Sequence, residues 1–177
     1  MNKKNQFLSG VILFLVAKLS FAAAGPAPIA VWANEAIIAT YSYDYKNYLQ
    51  EQKDIAKYFT SAGWIAYTKA LNDSKLPESV QKNAYYVSAV ATHPAAIVTL
   101  DPENWQITMP ILVVYKNPQY EQQQSLKVVI SVSAVPSGQG VRGLAITNLR
   151  ATVTEPPCEC KAKAAVNGKS STPTVKP

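Results

Sequence analysis

Histidine, arginine, cysteine and glycine are all scarce: the 177 residues hold one His, two Arg, two Cys and seven Gly. Each scarcity removes a class of chemistry. His93 stands in the turn Thr92-His93-Pro94. No acid or cysteine lies beside it in sequence to orient or activate it, so a solvent-exposed turn residue is expected, without a nucleophile pair or a multi-imidazole zinc site. The glycines form no Walker loop or dinucleotide fingerprint, and neither a GxSxG elbow nor an HExxH helix is present. Cys158 and Cys160 are a C-x-C pair near the C-terminus. In an oxidising compartment the pair reads as a disulfide, an inter-chain cross-link, a soft Cu(I) site or two incidental residues, and zinc would need two further ligands. No cofactor is expected.

Charge of one sign is also missing where it would matter. The formal charge is +6, but Lys3, Lys4 and Lys18 lie in residues 1–24, and four more lysines face only Glu159 in residues 158–177. Residues 25–157 carry ten basic and ten acidic side chains. A neutral domain does not make a counterion-releasing phosphate surface, so nucleic acid is not an expected partner.

Long apolar runs are absent as well. The longest, Phe7 to Ala17, spans 11 residues before Lys18, short of the ~20 that cross a bilayer. With Lys3 and Lys4 before it and Ala22, Ala23 and Ala24 after it, residues 1–24 read as a signal peptide cleaved near Ala22 or Ala24. The competing reading is an uncleaved inner-membrane anchor through residues 7–24. No Cys marks a lipoprotein site. Either reading places the domain outside the cytoplasm.

What is abundant is aromatic. Thr40 to Leu71 contains six of the ten tyrosines. Ile37, Tyr41, Tyr45, Tyr48, Ile55 and Phe59 recur at about a helical turn, with Gln52 the one break, so one long helix is predicted over Trp32 to Phe59, bent near Asp44 to Asn47. Tyr41, Tyr43 and Tyr45 also alternate as a strand would. Residues 25–31 read as a Pro-rich linker. Thr60 or Ser61 caps a second helix carrying Trp64, Tyr67 and Leu71, and Leu76 to Lys82 forms a further turn of helix with Pro77 in its first turn.

From Ala84 the period falls to two. Strands are predicted at Ala84–Ala91, Ala95–Leu100, Trp105–Tyr115, Ser125–Val135 and Val141–Val153, separated by Pro-, Asn- and Gly-rich turns. Links this short join antiparallel neighbours. Helices first and a meander afterwards give an α+β domain over 32–155, N-terminal helices packed on a curved antiparallel sheet. Pro110 removes a ladder donor and predicts a bulge or a sheet edge, and an edge can recruit another chain. Residues 156–177 lack large hydrophobes and read as a disordered tail.

Arg142 and Arg150, at even spacing on or beside the last strand, share a face and are candidate interface anchors. Glu35, Asp44, Glu51 and Asp54 are read as helix-surface acids. One of them acting as a general base in a cone cavity behind Tyr41, Tyr45 and Trp64 is the competing, enzymatic or ligand-binding reading.

Several separate motifs carry a family resemblance: Ala33-Asn34-Glu35-Ala36, Tyr41-Ser42-Tyr43-Asp44-Tyr45, Tyr58-Phe59-Thr60, Gly63-Trp64, Val87-Ser88-Ala89-Val90-Ala91, the strand from Trp105 to Val113, and Gln123-Gln124-Ser125-Leu126. Together, over residues 32 to 150, the chain resembles the IcmL/DotI family of type IVB secretion components. The resemblance implies a periplasmic scaffold domain, similar to conjugation-type subunits and to the nuclear-transport-factor-like cone, with no catalytic chemistry. Core members of the family resemble bitopic membrane proteins, whereas a signal-like segment precedes the domain here, so an exported accessory or paralogue is expected. The expected partners are secretion-apparatus envelope proteins and a second copy of the chain, with membrane contact only if the N-terminal segment is retained. Tyr41, Tyr45, Trp64, Trp105, Pro110, Arg142 and Arg150 are the candidate interaction residues.

Overall fold

The computed structural model describes residues 26–155 and 158–159. Its first helix, α1 (Pro26–Thr40), buries Ile29, Trp32, Ala33, Ala36, Ile37 and Thr40. Those positions follow a three-and-four spacing, so a single face of the helix meets the core. The expected linker over 25–31 is therefore helix from Pro26 onward, with Ile29 already in the core.

The single long helix expected from Trp32 to Phe59 is instead two helices with a short strand between them. The Thr40 hydroxyl donates back to Ala36 O at 2.7 Å, and Tyr41 N and Ser42 N close the last turn onto Ile37, Ile38 and Ala39. The chain then extends as β1 (Tyr43–Asp44), with Tyr43 opposite Val87. Asp44 Oδ1 next accepts the Lys46 and Asn47 N–H groups at 2.7 and 2.8 Å, a side-chain turn that launches α2 (Tyr48–Ala56). Turn chemistry at Asp44 and pairing at Tyr43 outcompete the helical stripe.

Helix α3 (Ser61–Asp73) is capped as expected: the Thr60 side chain accepts the Gly63 N–H at 3.1 Å. Gly63 also lets α3 approach the sheet. A β-carbon there would stand 2.5 Å from Ile146 O. A short helix, α4 (Leu76–Lys82), completes the helical half.

The strands are β2 (Tyr86–Ala91), β3 (Ala96–Asp101), β4 (Asn104–Lys116), β5 (Glu121–Ala134), β6 (Leu144–Val153) and β7 (Cys158–Glu159), all antiparallel in one curled sheet of order β1-β2-β4-β5-β6. Both β2 and β3 pair with the same flank of β4, β2 along Ile111–Lys116 and β3 along Asn104–Thr108. Ile107, Met109, Ile111 and Val113 of β4 and Val128, Ile130 and Val132 of β5 alternate into the face that the helices cover.

Three strand-level expectations change. Pro110 lies in register opposite Lys127 in a central strand, neither at an edge nor in a bulge of the β4–β5 ladder. Its carbonyl accepts the Thr92 N–H at 3.0 Å. Its missing N–H points to that same flank, where the partner switches from β2 to β3, so no ladder bond is lost. The last long strand begins at Leu144, and a bulge at Thr147 shifts its register against Ser131 and Val132. Finally, the sheet reaches past residue 155: Cys158 and Glu159 pair with Gln123 and Gln122, so the expected tail does not begin at 156. The remainder of that tail and the segment 1–24 lie outside the described residues.

Candidate functional site

Three surfaces gather the candidate residues. The first joins α1 to the turn before β6. Trp32 Nε1–H donates to Val141 O at 2.8 Å, fixing an indole 1% exposed against the turn. One turn along the helix, Glu35 accepts from the Tyr58 hydroxyl at 2.5 Å and from Arg142 Nη2 at 2.6 Å, and the Tyr58 ring meets Trp32 edge-on at 6.0 Å. The Tyr58 hydroxyl first, and then the Arg142 guanidinium, hold the Glu35 carboxyl below its ordinary range. Burial, with help from Glu35, pushes the Tyr58 phenol up to about 12. Arg142 sits in the turn at φ 54, not on the strand. Arg150, opposite Val129, projects from the face that the helices leave uncovered. The two arginines therefore do not share a face as expected, because Arg142 reaches the helix side.

The second gathers tyrosines on the helix-covered face of the sheet. Tyr43 is buried and meets Tyr48 edge-on at 5.7 Å; Tyr67 stacks on Phe59 at 5.1 Å and lies 5.5 Å from Trp64. Tyr115 continues the inward row of β4 and meets Tyr85 at 6.3 Å. Burial pushes the phenols of Tyr41, Tyr43 and Tyr67 far above their ordinary range and those of Tyr48 and Tyr115 upward. The Tyr41, Tyr43 and Tyr67 phenols also feel neighbouring phenols, and no charged side chain contributes. Trp64 meets Phe59 and Tyr67, and Tyr41 packs against the same core. Tyr45 stands apart, its ring against Tyr86 at 5.5 Å with Lys46 Nζ 5.6 Å from its centre. The sequence pointed to Tyr41 and Trp64 but missed Tyr43, Tyr67 and Tyr115. The signal for Tyr115 was its odd parity with Ile107 to Val113.

The third surface lies on the uncovered face of the sheet, where Tyr86, Val90, Val98 and Leu100 are 46, 53, 55 and 61% exposed. Even positions of β2 and β3 point outward, because Ala91 and Ile97 face the buried Ile111 and Ile107. The stripe follows one border of the sheet, and no described strand pairs with the second edge of β3. At the other border, Tyr58 to Thr60 cover β6 through Ile146 N to Tyr58 O at 2.7 Å and Thr60 N to Ile146 O at 3.0 Å. Pro110 is half-buried on the uncovered face. Trp105, only 5% exposed, belongs to the core and leaves almost no surface for a partner.

Two surface grooves, of about 460 and 340 Å³, are lined by Ala30, Val31, Asn34 and Ala91–Ala95 and by Tyr45–Gln50, Lys53 and Gln81. Neither includes a carboxylate. His93 borders the larger one, with only the Thr92 hydroxyl near its ring. No three His, Cys, Asp or Glu among the described residues stand close enough to share a metal ion. Cys158 is placed by its backbone alone, and Cys160, with any disulfide between them, lies outside the described residues.

No curated protein matches the chain. Solved structures do. An IcmL-like type IV secretion system protein from Legionella pneumophila shares 65% identity over 78% of this chain and 99% of its own, with a TM-score of 0.74. The periplasmic domain of DotI shares 30% identity over 73% of this chain and 96% of its own, at a TM-score of 0.69. CagV, a VirB8 homologue from Helicobacter pylori, shares only the fold, at 10% identity over 73% and 99% of the two chains and a TM-score of 0.60. The family profile described as a type-IV b secretion system inner-membrane complex component matches residues 11–153, beginning within the apolar run and ending at the last residue of β6. By that match and by the 65% identical relative, the chain belongs to the DotI/IcmL family of type IVb secretion system components.

Proposed function

We propose that the domain is a non-enzymatic periplasmic scaffold that docks secretion-apparatus envelope proteins, and a second copy of itself, through the outer border of its sheet. The observation that carries this reading is the row Tyr86, Val90, Val98 and Leu100 beside the edge of β3 that no described strand pairs. Exposed apolar side chains in a row cost nothing to desolvate, and an open edge offers backbone donors and acceptors to an incoming strand. The family match from residue 11 supports retention of the apolar run as an anchor; no described helix is long and apolar enough to cross a membrane.

Light scattering of the full chain, joined to pull-down from an envelope extract, tests the proposal. Assembly or specific capture that disappears in Val98→Lys/Leu100→Lys supports it. A protein that stays monomeric and captures nothing overturns it. Sequencing the N-terminus of protein purified from the envelope separates the cleaved from the anchored form.

A further inference from the structure

The smaller groove, about 340 Å³, runs between the exposed side of α2 and Gln81 of α4. Leu49 and Lys53 stand one helical turn apart on α2, and Lys46, in the turn before that helix, completes the wall. Two ammonium groups are thus the only charges lining the groove. Leu49, 74% exposed, lays an apolar side chain beside them, and the Tyr45 ring holds the Lys46 ammonium 5.6 Å from its centre. The opposite end of the sheet carries the complement. The β3–β4 turn presents Leu100, Asp101, Pro102 and Glu103, all exposed. Asp101 Oδ1 accepts the Glu103 N–H at 2.9 Å and the Asn104 side-chain amide at 3.0 Å, so the turn is braced from within before any partner arrives. Strand β4 separates the two surfaces: its Asn104 end adjoins the turn, and its Lys116 end pairs with Tyr86, whose ring meets Tyr45 of the groove. Thirteen residues of strand put them about 40 Å apart along β4, far beyond the ~8 Å over which exposed charges act at physiological salt. One chain cannot close its own turn onto its own groove.

We propose that the groove receives the β3–β4 turn of a second copy, so that copies join head to tail. The two surfaces match in sign, two carboxylates against two ammonium groups, and in apolar content, Leu100 against Leu49. They match in size as well, since a groove near the small end of the ligand-sized range takes a tight turn and not a whole helix. Complementary charge steers the approach and fixes the register, while the leucines supply apolar contact. Each added copy leaves a free groove at one end and a free turn at the other, so the contact builds a ring or a filament instead of a closed pair. The proposal rests on the scaffold reading and names the contact by which one copy holds the next.

Sedimentation of the full chain over a concentration series tests the contact. The parent should associate, more weakly in high salt. Lys46→Glu/Lys53→Glu and Glu103→Lys should each weaken association at least about tenfold (~1.4 kcal/mol). An equimolar mixture of the two variants should associate again, because the intact turn of the first meets the intact groove of the second. On the unmodified chain, a zero-length carbodiimide cross-linker should join Glu103 to Lys46 or Lys53, a readout that holds even if a variant fails to fold. Association that survives the charge reversals but is lost in Val90→Lys, on the sheet border away from turn and groove, would overturn the head-to-tail contact and leave the scaffold reading standing. A parent that stays monomeric, a mixture that does not recover, or groove lysines cross-linked only to another envelope protein would each overturn it too. Capture of envelope proteins, read in parallel, decides the scaffold reading separately.

Discussion

Glu35 and Arg142, 107 positions apart, meet at 2.6 Å between Oε2 and Nη2, and so tie the first helix to the turn that starts the last long strand. The pair is half exposed, at 43 and 55%, so its weight is positional more than energetic. The buried Trp32 indole bonded to Val141 O does more of the anchoring. Replacing Trp32 with Phe should lower the melting temperature well beyond the effect of Glu35→Gln, because it empties core volume and removes the indole bond to Val141 O, leaving that carbonyl the Leu144 N–H alone. Thermal denaturation of the two variants side by side checks the ranking.

Acid should loosen the same junction. The folded Glu35 carboxyl lies below its ordinary value of 4.5, so its contribution is complete above pH 4.5 and is lost as the pH falls through the folded value. The acid limb of a stability profile, measured by denaturant midpoints, should therefore flatten in Glu35→Gln.

Alkali should act through the tyrosines. Their folded values stand above the ordinary 10, with Tyr58 at about 12 and Tyr41, Tyr43 and Tyr67 higher still. Their contribution is complete below pH 10 and disappears as the pH climbs through the folded values. A tyrosinate absorbance titration should show a delayed fraction that ionises together with loss of the far-ultraviolet signal.

Packing of α3 on β6 leaves no room at Gly63, where an added β-carbon would stand 2.5 Å from Ile146 O. Gly63→Ala should cost about 1–3 kcal/mol by overpacking. Thr60→Ala, which removes the cap received by Gly63 N, should cost about 1 kcal/mol. Urea midpoints at constant slope would give both values.

On the outer border of the sheet, Val98→Lys/Leu100→Lys should keep the circular dichroism spectrum and melting temperature of the parent, because both side chains are more than half exposed. Any self-association or partner capture should be lost. A spectrum that changes together with the association would show that the stripe serves folding instead.

The sequence by itself settled the architecture, because its signals are local and periodic. The switch from a three-and-four spacing to strict alternation after Ala84, the cap at Thr60, the short helix Leu76–Lys82 and the short links between strands depend on neighbours along the chain. The separate motifs running from Ala33 to Leu126 likewise carried the family. The tertiary structure decided whatever needed a distant partner. Tyr43 became a strand because Val87 was there to pair with it, and Arg142 turned to the helix side because Glu35 waited there. Pro110 entered a central strand because β2 and β3 part beside it. Tyr43, Tyr67 and Tyr115, from β1, α3 and β4, came to pack on one core only when the helices and the sheet met, and that meeting has no period along the chain from which to read it.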